Sequence, residues 1–426
     1  MRSRYRRALL GSGCAAALLA ASAPGAAAAP DGAASVAVVA GTGVVGSSGD
    51  GGVSTRAELT APSGIAVDQA GDVAVADTGN CRVEMIAGRS GRYFGIAMME
   101  GRIYTVAGTR CGGRRADRAT PSVGDPTGVA FDSAGDLLIA DGTGNRILDL
   151  PAVSGRDYGV PVRAGHLTPV VGTGVAGTPA NGRPARGSRL DDPEGIAVDG
   201  SGNLYIADTG ACQVDEVPDG DGTRSGATLD AGDLYAVAGT GICGYGGDGG
   251  RAVAAQLSLP SAVAVDRGGD VLIADEGNSA VREVAAGTGT FYGVAIAAGH
   301  IATVAGQDMY TEYLNDGLSA SGPVSSLNYP SGLAVDTAGD LFIADSYDRC
   351  IREVPAHSGV LFGRRVVAGD MDTLAGILPV GGAAAGDATR WILTRVTYPD
   401  DVALGPAGTL YFSDQGANSV GRVTSS

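Results

Sequence analysis

Three stretches have the spacing of a phosphate-cradling turn: GTGVVG at 41–46, GTGVAG at 172–177 and GTGICG at 239–244. A dinucleotide site needs one G-x-G-x-x-G turn that opens a helix within a strand–helix–strand unit. Here the first and third copies run into GSSGDGG and GYGGDGG, which start no helix. The glycines therefore serve turns that end strands, and nucleotide chemistry is set aside. Acidic clusters come next. Glu194 follows Asp191 and Asp192, and Asp400 and Asp401 are adjacent. Converging carboxylates could hold a cation or a basic ligand. The segment PDGDGTRSGATLD at 218–230 puts Asp219, Asp221 and Asp230 at positions one, three and twelve of a calcium loop. Arg224 occupies the turn position that requires Gly and no helices flank it, so it reads as an acidic hairpin tip. His166, His300 and His357 are dispersed, with no metal-ligand spacing. There is no G-x-S-x-G elbow. All 30 basic residues are Arg, which removes Schiff-base and P-loop lysine chemistry. A net charge of −16 argues against nucleic acid, whose recognition rests on neutralising phosphates.

The elements that must position these residues come from a repeat. Units begin at Pro62, Pro126, Pro193, Pro260, Pro330 and Pro399, for example PSGIAVDQAGDVAVADTGNCRVEMI and PSGLAVDTAGDLFIADSYDRCIREV. Each reads as four short Val- and Ile-rich strands bounded by Asp and Gly. The near-continuous apolar runs VLIA and LFIA suit sheets buried on both faces, as in stacked propeller blades. The recurring Asp68, Asp132, Asp199, Asp266 and Asp336 read as turn caps, as do Asp77, Asp141, Asp208, Asp275, Asp345 and Asp414. SVAVVAGTG near the start matches a fourth strand, and VGRV at the end matches a third. The fold class is therefore all-β: a six-bladed propeller of four-stranded antiparallel blades, with the N-terminal strand supplying the outer strand of the last blade.

The repeated P-x-G-[IL]-A-V-D…G-[DN]-[LV]-x-[IV]-A-D pattern resembles the NHL repeat, across residues 35–423, with Ala262, Asp401 and Gly405 as departures. The long third-to-fourth hairpins, such as RSGRYFGIAMMEGRIYTVAG, are similar to exported NHL proteins of actinobacteria. The resemblance implies a six-bladed ring and a binding or scaffolding role, and names no ligand.

The first residues carry Arg2, Arg4, Arg6 and Arg7, then an Ala/Leu stretch and a small-residue zone ending near Ala28. This predicts a signal peptide over 1–28 and a single exported propeller over 29–426. Cys14 lacks a lipobox context, so no lipid anchor is expected, and no later segment reads as a membrane span. In an antiparallel meander, a Cys opening the third strand and one closing the fourth lie at the same end of a blade. That predicts Cys81–Cys111 and Cys212–Cys243 disulfides, with Cys350 left as a lone thiol.

The functional expectation is an exported, monomeric, non-enzymatic propeller that binds a protein, peptide or small molecule. Its candidate ligand site is the acidic channel mouth of Asp191, Asp192, Glu194, Asp400 and Asp401, because units three and six face each other across a six-membered ring. No cofactor is expected, calcium being the one ion the acidic groups could take. The alternatives are a metal-dependent hydrolase or lyase and a cell-wall or glycan binder, the latter weakened by the single Trp391.

Overall fold

A computed structural model describes residues 35–108, 111, 122–224, 227–306, 316–322, 325–376 and 396–424. The expected signal peptide, Cys14 and Trp391 lie outside the described residues. The alternation of Val/Ile strands with Asp–Gly turns yields six antiparallel sheets, one per repeat. In blade 2 the order from the axis outward is Pro126–Phe131, Leu137–Asp141, Arg146–Leu150, Thr168–Val171. Blade 6 consists of Pro399–Leu404, Leu410–Asp414 and Ser419–Thr424, completed by the N-terminal strand Ser35–Ala40. The register of this closure pairs Val36 with Val423 and Ala40 with Val420. Blades 3 and 5 carry a further two-residue edge strand, Arg183–Pro184 and Leu318–Ser319, which the four-strand expectation did not contain. Among the described residues no helix is long and apolar enough to cross a membrane.

The repeated aspartates are caps, as their turn positions imply. Asp132 Oδ1 accepts the N–H groups of Ala134 (2.9 Å) and Asp136 (2.8 Å), and Asp266 does the same for Gly268 and Asp270. The second set ties down the chain that leads into each blade: Asp77 holds Thr60 N–H and Asp208 holds Asp191 N–H. The GTG glycines have a different cause. Gly41, Gly172 and Gly239 have φ near +90°, and a Cβ on each would stand within 2.5 Å of the backbone carbonyl of the residue just before the third strand. They let the chain leave the outer strand across its neighbour.

The long third-to-fourth hairpins fold into two-stranded sheets of their own, with tight aromatic–Gly turns. Phe94, Tyr158, Tyr292 and Phe362 adopt φ of 47–49° there. Each aromatic lands on the following blade: Phe94 against Leu137 and Leu150, Tyr158 against Leu204 and Val217, Tyr292 against Leu341 and Val354, Phe362 against Leu410 and Val423. Two bond to it through their hydroxyls, Tyr158 to Gly202 O (3.1 Å) and Tyr292 to Gly339 O (2.7 Å). The hairpins are thus plugs between blades.

Cys81 joins Cys111 and Cys212 joins Cys243, with Cα–Cα distances of 5.0 and 5.2 Å. Cys350 is buried and unbridged, and burial pushes its thiol pKa well up. Each bridge closes a loop of 30 or 31 residues. Replacing Cys212 and Cys243 together by Ala should cost about 3–4 kcal/mol in the chain-entropy picture. Denaturant unfolding of the oxidised parent and the double variant measures it.

Candidate functional site

The inner strands decide the fate of the expected acidic mouth. In most blades the residue after the leading Pro is Ser or Thr, and its hydroxyl donates to the next inner strand. Thr127 Oγ1 reaches Pro193 O (2.9 Å) and Ser331 Oγ reaches Asp400 O (2.6 Å). Glu194 and Asp400 occupy this inter-blade position, half-buried and buried respectively. Asp401 stands where Gly332 stands one blade earlier. Its Oδ2 accepts the N–H of Ile65 (3.0 Å), which links blade 6 to blade 1 at the closure. Burial pushes its pKa up to about 8. Asp191 and Asp192 donate their backbone N–H groups to Asp208 Oδ1 and Asn145 Oδ1, which fixes the entry loop. Among the described residues these carboxylates do not gather into a group of three with oxygens within metal-binding reach. The 218–230 segment likewise forms a hairpin base: Asp221 Oδ1 caps Ala231 N–H, and Asp230 N–H donates to Tyr235.

A convergence of carboxylates occurs elsewhere, in blade 2. Asp136, at the start of the second strand, Asp149, on the third, and Asp157, on the hairpin, each bring an oxygen within 4.8 Å of the others. Asp136 is partly structural, since its Oδ1 accepts Ala152 N–H at 2.6 Å, a bond repeated by Asp72, Asp270 and Asp340 in their blades. Asp149 is different. It is 0% exposed, and neither of its oxygens meets a donor N–H or O–H. Burial first, then the neighbouring Asp157 carboxyl and the charge of Asp136, push its pKa up to about 9. Asp136 is pushed up to about 6, chiefly by burial.

The equivalent places in other blades show what the charge requires. Blade 3 has Glu216 at the Asp149 position and Arg224 at the Asp157 position, and the guanidinium meets the carboxylate at 2.8 Å. In blade 5, Glu353 is paired with Arg364. Blade 4 has Glu283, which has no such partner among the described residues, and burial pushes it up to about 8. Blade 2 puts a third carboxylate where blade 3 has its cation. Two buried acids and a half-buried one, with no Arg among them, need a proton or a cation between them. An all-oxygen set of carboxylates suits a hard ion, and Asp136, Asp149 and Asp157 could hold a metal such as calcium.

This corrects the expectation of a non-enzymatic binding propeller. The acidic groups that converge lie in blade 2, where they could hold a metal ion. The sequence reading missed them because Asp136 looks like one more turn residue. The signal was in the aligned columns, where Asp157 faces an acid and Arg224 does too.

Comparison with known proteins supports the architecture. The NHL repeat family matches residues 59–84 and 327–353. No curated protein matches the chain. A protein of unknown function from Bacteroides thetaiotaomicron superposes with a TM-score of 0.58 at 14% identity, covering 92% of this chain and 76% of that one. An auxiliary nutrient binding protein from the same organism gives 0.55 at 12%, covering 92% and 77%. A gluconolactonase from Xanthomonas campestris gives 0.47 at 12%, covering 87% of each. At these identities the first two likenesses show a shared fold.

Proposed function

We propose that the chain is an exported, NHL-type propeller that acts as a metal-dependent hydrolase or lyase, with its metal held by Asp136, Asp149 and Asp157. The observation that carries this is the buried Asp149 carboxylate, with both oxygens lacking a protein donor and two further carboxylates within 4.8 Å. A divalent cation bound there would polarise a carbonyl oxygen and acidify a water. The chain's own residues set the conditions. Asp149 supplies a charge that is fully removed from solvent, so its field is little screened. Asp157, half-buried on the hairpin, is the ligand nearest solvent. Next to it Tyr158 is buried against blade 3 and closes the inner side.

The assay follows from the chemistry of a polarised carbonyl: hydrolysis of a panel of esters and lactones by protein stripped with chelator, then reloaded with calcium, manganese or zinc. Activity should return with one of these ions. Asp149→Asn should lower kcat/KM about a hundredfold or more, the usual loss when a charge-stabilising contact is removed. Equal turnover by Asp149→Asn and parent would defeat the reading.

A further inference from the structure

Of the five third-to-fourth hairpins, one departs from the plug pattern. Aromatic–Gly turns seat Phe94 between blades 1 and 2, Tyr158 between 2 and 3, Tyr292 between 4 and 5, and Phe362 between 5 and 6. The aligned residue for blades 3 and 4 is Ser225 in the sequence TRSGA. At this junction lies a cavity of about 510 Å³. Its wall includes Gly269, Val284 and Gly299 of blade 4, the counterparts of Gly202, Val217 and Gly232 around Tyr158. The turn that presents Gly269 repeats the one that presents Gly202. Their φ values are 84° and 89°, and their N–H groups bond to Asp266 O and Asp199 O at 3.2 and 3.1 Å. The carbonyl that receives a tyrosine hydroxyl in the neighbouring seats is thus offered here as well. Val284 supplies the apolar wall that Val217 gives Tyr158.

The mouth of the cavity is built and polar. Arg224 stacks over Tyr205 with 5.1 Å to the ring centroid, donates to its hydroxyl at 2.6 Å and pairs with Glu216 at 2.8 Å. These side chains are held by one another, so the opening is pre-organised rather than collapsed.

We infer that this inter-blade seat is a binding site for a para-substituted phenol, whose ring replaces the missing aromatic plug. Its hydroxyl donates to Gly269 O, its ring lies against Val284, and its para substituent leaves past Arg224 and Glu216. The site is independent of the blade 2 carboxylates.

The probe is p-cresol, the tyrosine side chain itself, titrated calorimetrically into the full mature protein. Toluene, which lacks the hydroxyl, should bind about fivefold more weakly, the loss expected for one neutral hydrogen bond. Ser225→Tyr should restore the plug, weaken p-cresol binding at least tenfold and raise the melting temperature. Asp149→Asn should leave p-cresol binding unchanged, which separates this site from the metal reading. N-acetyltyrosinamide binding more tightly than p-cresol assigns the phenol to a peptide tyrosine; the reverse order assigns it to a free small molecule. No heat with p-cresol, equal affinity for toluene, or undiminished binding by a folded Ser225→Tyr variant overturns the inference. If that variant does not fold, the comparison of toluene with p-cresol on the parent still decides it.

Discussion

Calcium added to the chelator-treated protein at pH 8.5, at a hundred times its dissociation constant, should raise the melting temperature by about 3 °C. Mass action at that excess stabilises by about 2.7 kcal/mol, and a propeller of this length unfolds with an entropy near 0.8 kcal/mol per degree. The response should be smaller at pH 5.5. Asp149 has a folded pKa raised from 3.8 to about 9, mainly by burial, so without metal it binds a proton that the unfolded chain has lost. Such a group contributes stability that is fully present below pH 3.8 and disappears as pH rises through about 9. Glu283 and Asp401, each raised to about 8 by burial, act in the same direction. The metal-free protein should therefore melt lower at pH 8.5 than at pH 5.5. A cation competes with the proton on Asp149, so its effect grows as pH rises. Asp149→Asn mimics the protonated acid: it should keep the fold, lose the calcium response and flatten part of the alkaline decline. A calcium shift that survives in Asp149→Asn would place the ion elsewhere. Differential scanning calorimetry at the two pH values measures all of this.

The blades were legible because each repeat states its own boundaries. Pro opens the inner strand, Asp and Gly make the first turn, and a second Asp holds the incoming loop by its N–H groups, as Asp208 holds Asp191. The disulfides were legible for the same reason, since antiparallel order alone puts Cys212 beside Cys243. The site was not. Asp400 and Asp401 depart from the repeat, and departure was read as ligand chemistry, yet Asp401 spends its carboxylate on Ile65 N–H at the ring closure. A side chain that replaces a Gly at a junction can be a local solution to packing. The acids of blade 2 hide in the opposite way. Asp136 conforms to the repeat, Asp149 sits in a column that is acidic in three other blades, and Asp157 lies on a variable hairpin. Only their joint placement reveals charge without a counter-ion, and that depends on how the hairpin folds back over the sheet. Ser225 in the repeat has the same character: its meaning comes from what the aligned Tyr158 and Tyr292 do in their seats.

Deletion of residues 30–45 should have the largest effect on stability. It removes Ser35–Ala40, the outer strand of blade 6, and with it the pairing of Val36 with Val423, Ala37 with Arg422 and Ala40 with Val420. Val36 packs on the cluster of Leu410, Phe412 and Val423, while Ala40 and Val39 pack on that of Ile65, Val75 and Tyr411. Val36 and Val39 are half-buried and Ala40 is buried, so losing these side chains forfeits roughly 3 kcal/mol. That is a large fraction of the stability of an ordinary domain. The deletion also strips the hydrogen bonds from one edge of Ser419–Thr424, leaving an open strand that can pair with another chain. The truncated protein should melt at least several degrees lower and elute as dimers or larger species. Because the lost element is one continuous strand, a synthetic peptide of residues 33–45 supplied in trans should restore both melting temperature and monomeric elution. A truncation that melts and elutes like the untruncated chain would mean that blade 6 does not depend on the N-terminal strand.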